Sequence, residues 1–428
     1  MSTVATPVTA MICHGCGWEV PPDDLHPFRC PHAGTDDVDH VLRRRIGTTP
    51  ALLEAFHDRE PDPFIRYRRL THAWHTAMLN GMSDAEFIDV VRTLEKKIGQ
   101  PFRVTPLYEQ HALARAVDLH ADLWVKNETG NVAGSHKGRH LMAIAIWLAV
   151  VDRGNRQRLA IASCGNAAIA AATIARGLGR PLDVYLPADA DPAVIGRLRD
   201  SGAHIVLCER RAGEAGDPAY LRFREAVDAG ALPFSVQGNE NALAIEGGAT
   251  LGWELVSQLR ANRTSLDRLF IQVGGGALAS SIVAAFEDAG VALPKIHAVQ
   301  TTGVAPLARA FDRVAALECS VPNDSMNDAI HHRSQFMTPW ETPAPSIATG
   351  ILDDETYDWA AVVAGMRASG GGPVLVTEEL LGEANRIAVA ATGIRATATG
   401  TAGLAGLMAL ERRGEIGDNE AVGVVFTG

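Results

Sequence analysis

Short apolar runs alternate with longer stretches of helical periodicity through most of this chain. Leu123-Trp124-Val125 leads into Lys126-Asn127-Glu128, a Gly-rich segment follows, and residues 141–151 are unbroken apolar. That order reads as strand, loop and buried helix, with Ser135 as the helix N-cap. The unit recurs. Strand 158–162 precedes Ser163-Cys164-Gly165-Asn166-Ala167-Ala168 and an Ala-rich helix over 168–178. Strands 182–186 and 204–207 are followed by helices 192–201 and 218–229. Further on come helix 245–260, strand 269–273, helix 279–289, strand 295–300, helices 378–391 and 402–413, and strand 421–426. Repeated βα units predict parallel sheets with helices on both faces, and ligands in such sheets sit beyond the C-terminal strand ends. Ahead of this part, 50–57 and 83–98 read as helices and 103–107 as a turn.

Composition narrows the function classes. A chain of 428 residues predicts two or three domains, and 47% hydrophobic with 21% charged residues describes an ordinary globular protein. A net charge of −11 argues against nucleic acid or anionic membrane as partner. The run 141–151 is too short to cross a bilayer. The opening MSTVATPVTAM lacks a basic start and an apolar core, so no signal peptide is expected. Six cysteines suggest no disulfide framework, and a reducing cytoplasm is the expected location.

Candidate chemistry gathers in the strand-to-helix loops. Ser135-His136-Lys137-Gly138-Arg139 places Lys137 in the first helical turn, where unpaired N–H groups and the helix dipole disfavour an ammonium. A lysine with a lowered pKa there can form a Schiff base with an aldehyde. Only five lysines (Lys96, Lys97, Lys126, Lys137, Lys295) stand among the 39 basic residues, leaving 34 arginines, so a lysine in a Gly/Ser loop stands out. The plainer alternative is a solvated lysine at a helix start. Gly274-Gly275-Gly276-Ala277-Leu278 can bring backbone N–H groups against an anion at the head of a helix. It lacks the dinucleotide and Walker spacings, so it suits a phosphate monoester or is simply a tight turn. Ser163-Cys164-Gly165-Asn166-Ala167 suits a small carboxylate held by backbone N–H groups, or is a turn capped by Asn166. No base motif adjoins Cys164, which argues against a catalytic cysteine. Thr397-Ala398-Thr399-Gly400-Thr401 is a hydroxyl-bearing turn. A Schiff-base lysine together with a phosphate cradle specifies pyridoxal phosphate.

At the N-terminus, Cys13-His14-Gly15-Cys16 and Cys30-Pro31-His32 put three of the six cysteines within 18 residues. Cys13, Cys16 and Cys30 with His32 make a candidate zinc knuckle, with His14 or His26 as other candidates for the fourth ligand.

These loops resemble the fold-type-II pyridoxal-phosphate enzymes, nearest to threonine synthase and threonine dehydratase. The resemblance spans roughly residues 60–428 in consistent order. The tail looks like the zinc-ribbon-like leader of some threonine synthases. It implies Lys137 as the aldimine lysine and His136 before it as in tryptophan synthase β. It also implies Asn166 at the cofactor's phenolic oxygen, and Ser163, Cys164, Gly165, Asn166 and Ala167 holding the substrate carboxylate. Gly274, Gly275, Gly276, Ala277 and Leu278 are implied as the phosphate loop, and Thr399 as the hydroxyl facing the pyridine nitrogen. Ser346-Ile347-Ala348-Thr349 is a weaker echo.

The resemblance further implies two parallel-sheet domains with the cofactor between them: residues 49–139 with 236–428 as the large one, 140–235 as a small mobile one, and 1–48 as the appendage. The expected activity is at the β-carbon of a small amino acid, by β-elimination or β-replacement, in a homodimer. Ala244 and Ala249 stand where threonine synthases carry an arginine and a lysine, which weighs against O-phosphohomoserine. Threonine synthase is therefore the second reading, and a non-catalytic amino-acid sensor the third. An intact Lys137 argues against the sensor.

Overall fold

The computed structural model describes residues 9–47, 53–214, 216–318, 325–342 and 344–428. An antiparallel hairpin of β1 (Thr9–Cys13) and β2 (Leu42–Ile46) opens the chain. Then follow β3 (Leu107–Glu109), β4 (Asp122–Asn127), β5 (Leu159–Ala162), β6 (Leu182–Pro187), β7 (His204–Cys208) and β8 (Leu232–Pro233). The remaining strands are β9 (Arg268–Gln272), β10 (Lys295–Thr301), β11 (Gly372–Val376) and β12 (Ala421–Phe426).

They form two larger sheets. One runs β11-β10-β9-β12-β4-β3, parallel except for the edge strand β3, and the other runs β7-β6-β5-β8, all parallel. Such sheets need helices on both faces, because their strands bury both sides. The fold is therefore the α/β class of two parallel sheets that the sequence predicts.

Helix Lys137–Val151 is apolar all round because it is buried all round: it packs between helices Leu243–Asn262 and Asn166–Leu178. Glycines set the close crossings. A Cβ at Gly247 would strike the carbonyl of Arg139, and one at Gly248 the ring of His140. Gly177 likewise lets the Ala-rich helix approach Ile98, at the end of helix Asp84–Ile98, where a Cβ would stand 2.5 Å from Ile98 Cγ1.

Several expectations shift. Helix Asp84–Ile98 forms with Ser83 and Glu86 as a reciprocal capping box. Residues 50–52 of the expected helix 50–57 lie outside the described residues, and the described part holds a 3-10 turn, Glu54–Phe56. Ser135 is not the N-cap of the Lys137 helix. His136 holds that position with no side-chain bond, and Ser135 Oγ is buried without a partner. Asn166 does not cap either: it is the first helical residue, and Gly165 precedes it uncapped.

Candidate active site

Three candidate loops follow the C-terminal ends of strands in the two sheets. β4 leads into residues 128–136 and the Lys137 helix, and β9 leads into Val273–Gly276 and helix Ala277–Asp288. β5, in the second sheet, leads into Ser163–Gly165 and helix Asn166–Leu178. All three helices start without a side-chain cap, so their first N–H groups remain available to an anion.

Lys137 lies inside the protein yet keeps part of its surface open, and it makes no hydrogen bond to another described residue. Desolvation lowers its pKa from 10.5, opposed by the carboxylates of Asp353 and Asp358. Beside it, burial holds His136 well below its ordinary value, so the ring is neutral, and its Nδ1 has no partner. Ser135 Oγ is a second buried polar atom left unpaired at the same spot. Buried polar groups ordinarily find partners, so two adjacent orphans mark a place shaped for something to bind.

The glycine loop has no room for side chains. A Cβ on Gly274 would collide with Asp353 Oδ2, and one on Gly276 would stand 2.9 Å from Thr356 Cγ2. Gly276 also has φ +94°, a conformation that glycine adopts freely. Segment 353–358 clamps this loop. Thr356 Oγ1 donates to Gly274 O (2.9 Å), Asp358 N donates to Gly275 O (3.0 Å), and the Gly275 N–H faces the Asp353 carboxylate. Ala277 and Leu278 are buried at the head of the helix.

The carboxylate turn has Ser163 and Asn166 half-buried, Ala167 buried and Cys164 exposed. Ser163 Oγ accepts from Gly165 N (3.4 Å), and Asn166 Nδ2 donates to Gly428 O (2.7 Å). No base hydrogen-bonds Cys164 among the described residues. Thr399 is half-buried, its Oγ1 accepting from Gly350 N (3.0 Å). Thr401 is fully buried, donating to Thr397 O (3.1 Å) and accepting from Asn385 Nδ2 (3.1 Å).

Beneath Lys137 lies a fully buried ionic network. Lys126 Nζ donates to Thr105 O (2.6 Å), Glu254 Oε2 (2.5 Å) and Gln258 Oε1 (3.0 Å). Arg139 bridges Glu128 (2.6 Å) and Glu254 (2.6 Å) and also reaches Thr250. This network ties β4, the Lys137 helix and helix Leu243–Asn262 together.

At the N-terminus the sulfurs of Cys13, Cys16 and Cys30 and a nitrogen of His40 lie within 4.8 Å of one another, a set able to hold a metal ion. His40, not His32, is the fourth member. His40 Nδ1 lies 3.5 Å from Cys13 Sγ and 3.7 Å from Cys30 Sγ, while its Nε2 meets Asp36 Oδ1 at 2.9 Å. A carboxylate on the far ring nitrogen is the usual support of a metal-binding histidine. His32 Nδ1 lies 3.4 Å from Cys16 Sγ on the exposed rim, and its ring stands edge-on to that of His40.

Sequence reasoning missed Asp353, Asp358, Tyr357 and His40. An acidic pair seven residues after Ser346 was visible, but only the folded chain sets it against the glycine loop. His40 follows a run of aspartates, and nothing in its spacing singles it out from His32.

A profile described as pyridoxal-phosphate dependent enzyme matches residues 98–428. The chain is 34% identical over 205 residues to a serine dehydratase-like protein of Rattus norvegicus, covering 48% of this chain and 58% of that one. It is 24% identical over 335 residues to the threonine synthase of Methanocaldococcus jannaschii, covering 76% and 74% respectively. A threonine deaminase of T.th. shares the fold, with a TM-score of 0.61 and 21% identity over 80% of this chain and 97% of that one. The site suits the cofactor this family is described by. An amine open to the cavity can take its aldehyde, while uncapped N–H groups, a side-chain-free glycine loop and the orphaned Ser135 and His136 atoms can take its phosphate. The matched span, the two parallel sheets and this donor set agree, and the chain belongs to the pyridoxal-phosphate dependent enzymes.

Proposed function

We propose that the protein is a pyridoxal-phosphate enzyme acting at the β-carbon of a small amino acid, by β-elimination with deamination or by β-replacement. The observation that carries this is Lys137: an interior amine with a lowered pKa and no hydrogen-bond partner among the described residues, in a chain with three strand-to-helix loops whose uncapped helix starts suit anions. The relatives described as serine dehydratase-like support elimination, although the chain spans only 58% of the rat protein's length.

Lys137 would attach the cofactor, whose ring supplies an electron sink for the substrate's Cα. Ser135, His136 and the N–H groups of Gly274, Gly275, Gly276, Ala277 and Leu278 would hold its phosphate, and Asn166 and Thr399 its ring. Ser163, Cys164, Gly165, Asn166 and Ala167 would fix the substrate carboxylate. The Lys137 amine, once free, takes the Cα proton. Thr399 is a neutral hydroxyl, so a ring nitrogen facing it stays unprotonated, which suits elimination better than transamination.

Threonine synthase is the weaker reading. Ala244 and Ala249 are buried in the core, so neither position offers a cation to an alkyl phosphate. We also propose that residues 140–235, which carry the β7-β6-β5-β8 sheet, move as a small domain against 49–139 with 236–428, and that the chain forms a homodimer. Among the described residues no helix is long and apolar enough to cross a membrane. Cys13, Cys16, Cys30 and His40 would bind one structural Zn2+, and elemental analysis of protein purified without chelators checks this.

The test of function is a substrate panel on purified protein: serine, threonine, other β-substituted amino acids and O-phosphohomoserine. Release of keto acid and ammonia is expected. Phosphate release with threonine formation would establish the synthase instead.

A further inference from the structure

We propose that Asp353 is the contact for the substrate's side chain, and that it selects amino acids carrying a second ammonium, of which 2,3-diaminopropionate is the smallest, over hydroxy and phosphorylated ones. This rests on the functional reading above and specifies its substrate class.

The first observation is placement. Asp353 Oδ2 lies against Gly274, its carboxylate faces the Gly275 N–H, and it is close enough to the Lys137 amine for each to shift the other. It therefore stands within the reaction chamber, between the phosphate loop and the catalytic amine. It is also half-buried rather than packed away.

The second observation is the lack of a cationic partner. Asp353 makes no salt bridge to another described residue, and the backbone N–H of Gly275 is what bonds its carboxylate. Its neighbour Asp358 shows what a structural carboxylate looks like here: it accepts from Gly238 N (3.2 Å) and is fully packed. Among the described residues Lys137 is the cation that acts most strongly on Asp353, and the functional reading commits Lys137 to the cofactor. The other groups facing Asp353 are Asp354 and Tyr357, and its charge extends across the cleft to Cys164, which also feels Asp217 and Asp189. Burial pushes the Asp353 carboxyl up to about 6, with Lys137 opposing.

Substrate chemistry follows from charge. The α-carboxylate goes to the N–H groups of Ser163–Ala167. An anionic side chain would then meet the Asp353 carboxylate and be repelled by it. A hydroxyl would leave a desolvated carboxylate uncompensated, which is costly. An ammonium compensates it through a charge-assisted hydrogen bond.

Elimination then balances without a further acid. The Cα–H bond breaks to Lys137, and its electron pair forms the Cα=Cβ bond. The Cβ–N bond breaks with its pair going to nitrogen, and the ammonium that Asp353 held leaves as ammonia. Water hydrolyses the resulting enamine. The sum is one diamino acid and one water giving one 2-oxo acid and two ammonia.

The test titrates the purified holoenzyme and its Asp353→Asn variant with 2,3-diaminopropionate, L-serine and L-threonine. Binding is followed by the shift in cofactor absorbance, and turnover by keto acid. Wild type is expected to favour the diamino acid. Asp353→Asn should lower its affinity and kcat/KM roughly 10- to 100-fold, the worth of one hydrogen bond to a charged group, and should lower those for serine by a clearly smaller factor, so that the preference narrows or inverts. Asp353→Glu should restore part of the preference, which a role in folding alone would not produce. Three results overturn the proposal: serine or threonine binding better than the diamino acid in wild type, Asp353→Asn weakening all substrates equally, or Asp353→Asn leaving the preference intact. In each of these the elimination reading survives if keto acid still forms. Absence of bound cofactor, or of any spectral response to amino acids, removes both.

Discussion

Two interior lysines, Lys126 and Lys137, lie eleven residues apart and have opposite surroundings. Lys126 is 0% exposed and has three acceptors within 3.0 Å, one of them the Glu254 carboxylate. Lys137 has none. Desolvation lowers the pKa of both. What separates them is satisfaction: one ammonium is fixed as part of the scaffold, and the other amine is left free beside unpaired Ser135 and His136 atoms. A desolvated amine without partners is unfavourable for a fold, and its presence marks the place where chemistry is done.

The largest effect that sharpens this contrast is on stability. Lys126→Met strips one cation from the buried Glu254 carboxylate, which keeps Arg139 and Thr105, and leaves Gln258 Oε1 without its Lys126 donor; it should cost about 3–5 kcal/mol, the usual penalty for breaking a buried pair. Lys137→Met removes a charge that no described residue pairs, and it should leave the urea midpoint unchanged or raise it. If the two substitutions destabilise equally, the contrast is wrong.

The two regions should also respond to pH with opposite sign. Burial tends to raise Glu254, but Arg139 and Lys126 outweigh it, so its folded value lies below 4.5. Its stabilising contribution is complete above the unfolded value and is lost as pH falls through the folded one. Burial instead raises Asp353 to about 6 and Asp358 to about 7, from 3.8. For these the folded state holds the proton more tightly, so stability declines as pH rises from about 4 toward 7. Urea midpoints across that range should lose the acid limb in Glu254→Gln. They should lose the decline toward neutrality in Asp358→Asn.

The smallest effect is on the hydroxyl turn. Thr399→Val should weaken cofactor binding by roughly 1–3 kcal/mol, the penalty for an unpaired buried group. Thr401→Val should leave cofactor affinity alone, because its hydroxyl is already engaged with Thr397 and Asn385. It should lower stability by about 1 kcal/mol. Reversal of the two would shift the register of the turn by two residues.

The same contrast explains what could be read from the sequence. The βα rhythm was legible because each buried strand and each glycine loop is a local signal. Lys137 was legible because lysine is scarce and the residue sits in a Gly/Ser loop. Elements whose character is set by distant partners were not. β2 reads Leu-Arg-Arg-Arg-Ile, yet Arg44 is buried because Glu246 and Asp288 pair with it from far along the chain. β11 begins Gly372-Pro373, which reads as a break, and becomes an edge strand beside β10. The choice of His40 over His32 depends on Asp36 turning one ring, and Asp353 joins the site only because segment 353–358 folds over the glycines. The caps expected from Ser135 and Asn166 both fail, and those two helix starts are left open, whereas Thr397 caps the helix of the hydroxyl turn.

The central claim is that Lys137, and not its fully buried counterpart, carries the cofactor. Borohydride reduction of the purified yellow protein, followed by peptide mapping, tests it most directly. A pyridoxyl group on Lys137 alone is the predicted result. A label on Lys126 or Lys295, or a protein that takes up no label, contradicts the account.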